Sequence, residues 1–247
     1  MPVWRTADLP DEPLFEAEEA ALRHAGAQRR REFATVRGCA RTALGRLGIA
    51  PVPIVPGIRG APGWPAGVVG SMTHCGGYRA AAVARATDLV TLGIDAEPHR
   101  PLPDAVRARI TVAKERIWLA RAAAEQPRIQ WDRLLFSAKE AVYKAWFPLT
   151  GRWLGFHEAA LSIDPAGTFH AELLVAGPVR EFAGRWLVHG DLVYTAIAVH
   201  RSRNAACSAM VFGGTVRKQP TSSDCHPPTS APPTTDASNA MPTGQPR

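Results

Sequence analysis

The chain has 247 residues, of which 46% are hydrophobic, and its net charge is +7 with a pI near 9.7. This length can bury the core of one large domain or two small ones, and the positive charge favours an anionic partner of any kind. The four cysteines show no CxxC pair and no secretory framework, which is typical of free thiols in a reducing compartment. No run approaches about 18 apolar residues, and residues 1–13 contain no signal-like stretch, so we expect a cytoplasmic protein without a membrane span.

The first strong pattern is a helix predicted from Ala27 to Leu47. It follows a Pro-rich segment at residues 1–13, predicted to be an irregular arm, and an acidic turn at residues 16–19. Gly48 in the left-handed conformation and then Pro51 are expected to end the helix. Its basic face is either solvated or a phosphate clamp, since guanidinium groups match phosphate oxygens: Arg29, Arg30, Arg31, Arg37 and Arg41.

Strands are predicted in two groups. Residues 51–67 hold five prolines and four glycines and form a loop, and three β-like runs then predict a small antiparallel meander: 68–73, 78–85 and 90–96. Helical patterns follow at 103–125 and 131–147. A second group of strands is predicted after them: 156–163, 168–175, 185–189 and 192–199.

This order of elements predicts an α+β fold of two similar halves, residues 1–97 and 98–212. Residues 213–247 are rich in Ser, Thr and Pro and lack core-forming side chains, so we predict a disordered tail.

The helix predicted at residues 131–147, ending before Pro148, carries charges within a broad apolar stripe. Glu140 and Lys144 share one face with Phe136 through their i, i+4, i+8 spacing, and Lys139 precedes them. These charges are either a solvated pair on an amphipathic helix or part of a functional site.

Asp95 and Glu97 lie at the end of a predicted strand, where residues i and i+2 point to the same side. They are either a solvated strand end or ligands of a hard divalent cation, and Mg²⁺ prefers one or two carboxylates together with phosphate oxygens. With Glu140 and Lys144 they form a set suited to phosphate chemistry, in which metal and lysine stabilise the developing charge. Thr73 and His74 add donors at another strand end.

Three motifs in this order resemble those of the 4′-phosphopantetheinyl transferases of the Sfp/EntD type, and especially the PptT-type enzymes of actinobacteria. The resemblance covers roughly residues 25–200 and includes the arginine-rich helix. Its motifs are Gly70-Ser71-Met72-Thr73-His74-Cys75, Gly93-Ile94-Asp95-Ala96-Glu97 and Phe136-Ser137-Ala138-Lys139-Glu140-Ala141-Val142-Tyr143-Lys144-Ala145.

The resemblance implies a pseudo-dimer of two α/β halves with coenzyme A in the cleft between them. The enzyme would move the phosphopantetheine arm of coenzyme A to a serine of an apo acyl or peptidyl carrier protein. The other product would be adenosine 3′,5′-bisphosphate.

The resemblance also implies roles for individual residues. Mg²⁺, with Mn²⁺ as an alternative, would be held by Asp95, Glu97 and Glu140, and Glu140 would act as the base. Lys144, with Lys139 as a second candidate, would stabilise the pyrophosphate, while the 3′-phosphate would be held by His74, Arg29 and Arg37. The implied coenzyme-binding residues are Arg29, Arg37, Arg59, Ser71, Thr73, His74, Asp95, Lys139 and Lys144.

Two positions depart from the family pattern. Pro56 stands where related proteins often carry a phosphate-binding lysine, which leaves Arg59 as the nearest cation. The residue between the acidic pair is Ala96, so no side-chain ligand comes from there. The tail at residues 213–247 also lies outside the pattern.

Three other interpretations compete with this one. A metal-dependent nuclease needs a lysine two residues after the second carboxylate, and here that residue is His99. An RNA-binding module would interleave stacking aromatics with basic residues on a strand, and no such strand is present. A catalytically dead coenzyme A binder would have lost a carboxylate, and none is missing. We therefore expect a monomer whose partners are coenzyme A and carrier proteins rather than nucleic acid or membrane.

Overall fold

Two antiparallel sheets, each covered by one long helix, build residues 1–201, the part of the chain that the computed structural model describes. The first sheet has the order β1 (Pro2–Arg5), β3 (Tyr78–Arg85), β2 (Val68–Cys75), and α2 (Ala27–Gly45) packs on it. The second has the order β4 (Leu89–Pro98), β8 (Leu192–His200), β7 (Glu181–His189), β6 (Thr168–Leu173), β5 (Ala159–Asp164), and α5 (Trp131–Thr150) packs on it. The remaining helices are α1 (Glu16–Glu19), α3 (Asp104–Ile110) and α4 (Ala113–Glu125). The predicted α+β class is confirmed.

Each sheet encloses its own apolar core. In the first, Ala40, Ala43 and Leu44 of α2 meet Ala81 and Val83 of β3, all fully buried. In the second, the apolar stripe of α5 packs on inward-facing residues of β5 to β8, with Leu134, Leu135 and Trp146 fully buried. Burial of a Leu-sized side chain stabilises by about 1.5–3 kcal/mol, so these cores fix the positions of α2 and α5.

Several predicted elements form where the sequence places them. Helix α2 ends at Gly45, and Gly48 adopts the left-handed conformation (φ 74°) while the Ile49 N–H returns to the Leu44 carbonyl. Strands β2 and β3 form the predicted hairpin, closed by Gly76 and Gly77. The four later strands also form, as a continuous antiparallel series.

The predicted irregular arm at the N-terminus is wrong in part, because residues 2–5 form β1. This strand pairs with β3, and Val3 faces the first core with 2% of its surface exposed. A four-residue strand with one inward side chain is too short to show a period of two.

The predicted meander is also wrong in part, because β4 pairs with β8 and not with β3. Gly93 lies opposite Ile197 and Asp95 opposite Thr195, about a hundred residues later in the chain. Strand β2 approaches the free side of β4 through side chains: the Ser71 hydroxyl accepts the Ile94 N–H at 3.0 Å, and the Thr73 hydroxyl accepts the Ala96 N–H at 3.2 Å. The division of the chain at residue 97 stays a prediction, but β4 belongs to the sheet of the later segment.

Two predicted helix boundaries differ from the structure. Helix α5 continues through Pro148 to Thr150, whose hydroxyl donates to the Trp146 carbonyl at 3.1 Å, and left-handed Gly151 (φ 63°) then ends the helix. The helix predicted at 103–125 is broken in two by extended residues Thr111 and Val112. No helix within residues 1–201 is long and apolar enough to cross a membrane. The tail predicted at 213–247 lies outside the described residues.

A fully buried glutamate ties together the segments around the first sheet. Glu18 accepts the N–H groups of Phe15 (3.0 Å) and Ile54 (2.8 Å) and pairs with Arg41 at 3.0 Å. Arg37 lies 3.7 Å from the same carboxylate. Two arginines of the predicted basic face of α2 therefore point into the protein, since a buried carboxylate needs cationic partners.

The second sheet has a matching arrangement around Glu115, which is also fully buried. Its carboxylate accepts the N–H groups of Val112 and Leu161, each at 2.8 Å, and pairs with Lys139 of α5 at 2.9 Å. In both places a glutamate in the first turn of a short helix is paired with a cation of the long helix.

Candidate active site

A cavity of about 890 Å³ opens between the two sheets, bounded by α2, β2, β4, α5 and the loop at residues 56–62. Every site residue predicted from the sequence lines it except Lys139. Those that line it are Arg29, Arg37, Arg59, Ser71, Thr73, His74, Asp95, Glu97, Glu140 and Lys144.

A close approach of β4 to α5 brings the acidic end of the strand to the charged face of the helix. A Cβ atom added to Gly93 would lie 2.1 Å from the Ala141 carbonyl oxygen, so only glycine lets the strand lie this close to the helix backbone. The Thr91 hydroxyl donates to the Ala145 carbonyl at 2.7 Å and fixes the same contact. Asp95, two residues along β4, consequently lies beside Lys144 of α5.

Asp95 is 5% exposed and has two unequal oxygens. Its Oδ1 accepts hydrogen bonds from Thr73 Oγ1 at 3.0 Å and from Lys144 Nζ at 2.6 Å. Its Oδ2 is buried and has no hydrogen-bond partner among residues 1–201. A buried carboxylate oxygen without a partner costs free energy unless a further group binds it.

The neighbouring carboxylates repel one another. Burial, and then the negative charge of Asp95, raise the pKa of Glu97, although Arg133 donates to it at 2.9 Å and acts in the opposite direction. Burial also raises the pKa of Glu140; Lys144 lowers it, and Asp95 and Glu97 raise it further. A cation bound between them would relieve this repulsion.

The donor set fits a hard divalent cation. Within residues 1–201 no three acidic, histidine or cysteine side chains converge closely enough to enclose a metal by themselves. Mg²⁺ does not need such an enclosure, because it keeps several waters and binds one or two carboxylates with phosphate oxygens. Asp95, Glu97 and Glu140 line the cavity and offer carboxylate oxygens of that kind.

Arg29 and His74 line the same cavity. Arg29 Nη1 is 2.8 Å from His74 Nε2, and both side chains are partly exposed. Burial, and then the positive charge of Arg29, lower the pKa of His74. Two adjacent cation-capable groups facing a cavity are suited to a phosphate.

Arg37 lines the cavity with a guanidinium that is already engaged. Its Nε donates to the Ile54 carbonyl at 2.9 Å, the group lies over the Phe33 ring, and its side chain is 5% exposed. Burial lowers its pKa to about 10, so it stays protonated at neutral pH. The interpretation of Arg37 as a residue of a solvated face is therefore wrong.

Arg59 stands in the loop where the family pattern led us to expect a cation. It adopts a left-handed backbone (φ 55°), and its guanidinium lies 5.0 Å from the Trp153 ring. Pro56 also lines the cavity and forms an isolated bridge with Pro62.

Lys139, the second candidate for the pyrophosphate contact, does not line this cavity, and the structure places its ammonium in other contacts. Its ammonium pairs with Glu115 and donates to three carbonyl oxygens, those of Ile110 (2.8 Å), Phe156 (2.6 Å) and Ala159 (3.0 Å). These contacts use its whole donor capacity, because an ammonium has three N–H groups.

We expect Lys139→Met to destabilise the protein by about 3–5 kcal/mol, because it leaves Glu115 as an uncompensated buried charge. That loss corresponds to a fall in Tm of roughly 6–20 °C for a domain of this size. Thermal unfolding followed by circular dichroism measures it, with Lys114→Met as the matched control, since Lys114 forms an exposed pair with Glu172. An unchanged Tm for Lys139→Met would contradict the structural role.

Sequence reasoning missed three residues that shape the site. Arg133 pairs with Glu97 at 2.9 Å. Glu32 lies 3.7 Å from His74 and pairs with Arg79 at 3.3 Å. Arg133 is seven residues before Glu140 on α5, a spacing that places both on one face, so the helical period could have found it. No pattern in the sequence predicts that Arg79 of β3 pairs with Glu32 of α2.

Two family sequence models match this chain, one in each part of it. The sequence model described as 4'-phosphopantetheinyl transferase N-terminal domain matches residues 17–84, and that of the 4'-phosphopantetheinyl transferase superfamily matches residues 91–197. The chain is 60% identical over 202 residues to 4'-phosphopantetheinyl transferase Svp of Streptomyces mobaraensis, covering 78% of this chain and 82% of that protein.

Two further relatives are similar over a comparable length. Identity is 49% with 4'-phosphopantetheinyl transferase Npt of Nocardia iowensis, covering 74% of this chain and 87% of that protein. It is 47% with 4'-phosphopantetheinyl transferase PptT of Mycobacterium tuberculosis, covering 78% and 89%.

Proposed function

The chain belongs to the 4′-phosphopantetheinyl transferase superfamily, and on this premise we propose that it transfers the 4′-phosphopantetheine arm of coenzyme A to a serine of an apo acyl or peptidyl carrier protein. Adenosine 3′,5′-bisphosphate is the second product. The observation that carries the proposal is one cavity lined both by three carboxylates with Lys144 and by the adjacent pair Arg29 and His74. Coenzyme A likewise carries its pyrophosphate and its 3′-phosphate at separate points.

In this proposal the serine oxygen attacks the phosphorus next to the pantetheine arm. The new bond joins serine oxygen and phosphorus, and the bond from that phosphorus to the oxygen that bridges the pyrophosphate breaks. Glu140 takes the serine proton, directly or through a water, and burial already favours its proton-bound form. Lys144 stabilises the charge that develops on the pyrophosphate oxygens.

Asp95, Glu97 and Glu140 would hold Mg²⁺ or Mn²⁺. When bound, the metal supplies Lewis-acid stabilisation of phosphate oxygens. Thr73 holds Asp95 through Oδ1 and Arg133 holds Glu97, so both carboxylates are oriented before any ligand arrives. Ser71 and Thr73 further position this end of the cavity through β4.

Acidic carrier proteins are the proposed partners, which the net charge of +7 suits, and the proposed location is the cytoplasm, where the protein acts as a monomer. No part of this proposal requires nucleic acid or a membrane.

Intact-mass analysis of an apo carrier protein incubated with enzyme, Mg²⁺ and coenzyme A tests the proposal. We expect a gain equal to the phosphopantetheine arm, and an unmodified carrier in the presence of folded enzyme would contradict it. Excess chelator should abolish the gain, and added Mg²⁺ should restore it. Full transfer in excess chelator would contradict the proposed metal requirement, while the proposed transfer reaction would still stand.

A further inference from the structure

The contact between Arg29 and His74 fixes the protonation state of the histidine. Arg29 Nη1 lies 2.8 Å from His74 Nε2, and a guanidinium can only donate hydrogen bonds. Nε2 must therefore be the acceptor, which leaves the ring neutral with its proton on Nδ1. The lowered pKa of His74, caused by burial and by Arg29, agrees with a neutral ring near pH 7.

A phosphate held by both residues needs a different state. Phosphate oxygens are acceptors, so Arg29 and His74 must both donate to them, and Nε2 must then carry a proton. A shift to the other neutral tautomer would leave the lone pair of Nδ1 facing the Glu32 carboxylate, whose Oε2 is 3.7 Å away. The Nδ1 proton therefore stays, and the ring becomes an imidazolium. Binding of a phosphate at this point therefore requires the protein to take up a proton.

Glu32 is the carboxylate placed to stabilise that imidazolium. The described charged groups that face the ring are Arg29 and Glu32 from α2, Arg79 from β3 and Lys144 from α5. Three of these are cations that oppose protonation. Glu32 Oε2 lies 3.7 Å from His74 Nδ1 and favours it.

The position of the Glu32 carboxylate is fixed by Arg79. Its Oε1 accepts a hydrogen bond from Arg79 Nη2 at 3.3 Å. Arg79 is 4% exposed and makes a two-point pair with Asp8, at 2.8 Å and 3.0 Å. This chain of contacts keeps the Glu32 carboxylate beside the ring rather than in solvent.

We propose that Glu32 is a positioning residue of the 3′-phosphate site: it orients the His74 ring and stabilises the imidazolium, so that coenzyme A binds together with a proton. The proposal rests on the function proposed above, because it takes the 3′-phosphate of coenzyme A as the ligand. It adds a residue and a proton that the transfer reaction alone does not require.

Isothermal titration calorimetry tests the proton directly. Coenzyme A is titrated into the enzyme with Mg²⁺ at pH 7.5, in two buffers of different ionisation enthalpy, and dephospho-coenzyme A is titrated in the same way. The difference between the two ligands isolates the 3′-phosphate, which is mostly dianionic at this pH because its second pKa is about 6. We expect uptake of about one proton with coenzyme A and none with dephospho-coenzyme A. Equal proton exchange with both ligands would overturn the proposal.

Glu32→Gln tests the positioning role. Glutamine keeps the size of the side chain but removes the negative charge that stabilises the imidazolium, so the KM for coenzyme A should rise about tenfold with kcat nearly unchanged. Proton uptake should fall, and the KM for dephospho-coenzyme A should change by less than about twofold. Glu19→Gln is the matched control, because Glu19 of α1 forms an exposed pair with Arg30 of α2. Glu32→Asp keeps the charge and should retain proton uptake even if it weakens binding.

The outcomes separate the two proposals. If the KM of a folded Glu32→Gln variant rises equally for coenzyme A and for dephospho-coenzyme A, the role of Glu32 is purely structural and the inference is wrong. A carrier protein that gains the arm without proton uptake on coenzyme A binding would also end it, while the proposed transfer stands. Absence of any coenzyme A binding would end both.

Discussion

Replacing Glu140 with glutamine is expected to lower turnover by about 10²- to 10⁴-fold, the range that a general base contributes. Glutamine keeps the size of the side chain but removes both the proton acceptor and a metal ligand. The rate of carrier modification at saturating coenzyme A and Mg²⁺ measures the effect. Stability should be unchanged or higher, because burial and the charges of Asp95 and Glu97 already disfavour the ionised form of Glu140.

Glu125→Gln is the matched control for this change, since Glu125 forms an exposed pair with Arg121 on α4. Lys144→Met is the informative companion: it should raise the KM for coenzyme A as well as lower turnover, because Lys144 donates into the acidic end of the cavity. If Glu140→Gln kept the turnover of the unmodified enzyme, Glu140 would have no catalytic role and α5 would serve only to support the fold.

Gly93→Ala is expected to reduce turnover by more than about 100-fold, because a displacement near 1 Å at a reacting centre costs about that much. The added methyl group would lie 2.1 Å from the Ala141 carbonyl oxygen and 2.9 Å from the Ala145 nitrogen. Both are backbone atoms, so no side-chain rotation relieves the overlap, and β4 must move away from α5. Overpacking of this kind also destabilises by about 1–3 kcal/mol, which a lowered Tm measures.

Gly45→Ala is the control for this substitution. A Cβ at Gly45 meets nothing within 4 Å, and the residue ends α2, so alanine there should leave turnover unchanged and Tm unchanged or slightly raised. If Gly93→Ala kept full turnover, the close contact of strand and helix would not be what holds Asp95 beside Lys144.

The parts of the fold and site that the sequence predicts are those encoded in short stretches. The apolar period of α5 predicts the helix, and the i, i+4 spacing of Glu140 and Lys144 places both in the cavity. Lys139 directly precedes Glu140, so it lies about 100° around the helix axis from it, on a different face from Glu140 and Lys144. Lys139 turns inward to Glu115, so its proximity to Glu140 along the chain was misleading.

Long-range pairing is where sequence reasoning fails. The pattern of β4 predicts a strand but carries no information about its partner, and the partner is β8, whose residue Thr195 is opposite Asp95. Likewise, the composition of α2 cannot reveal that Arg41 pairs with Glu18 rather than with solvent. Arginines that bind an internal carboxylate and arginines that bind phosphate look alike in a single sequence.

The hydroxyl groups of Ser71 and Thr73 have a consequence for self-association. Strand β4 is the last strand of its sheet, and its outward N–H groups at Ile94 and Ala96 would form an open edge that another chain could extend. Because β2 covers these groups with side-chain oxygens, the edge is closed without a further strand. The same two residues that support the acidic end of the cavity thereby protect the sheet from edge-to-edge aggregation.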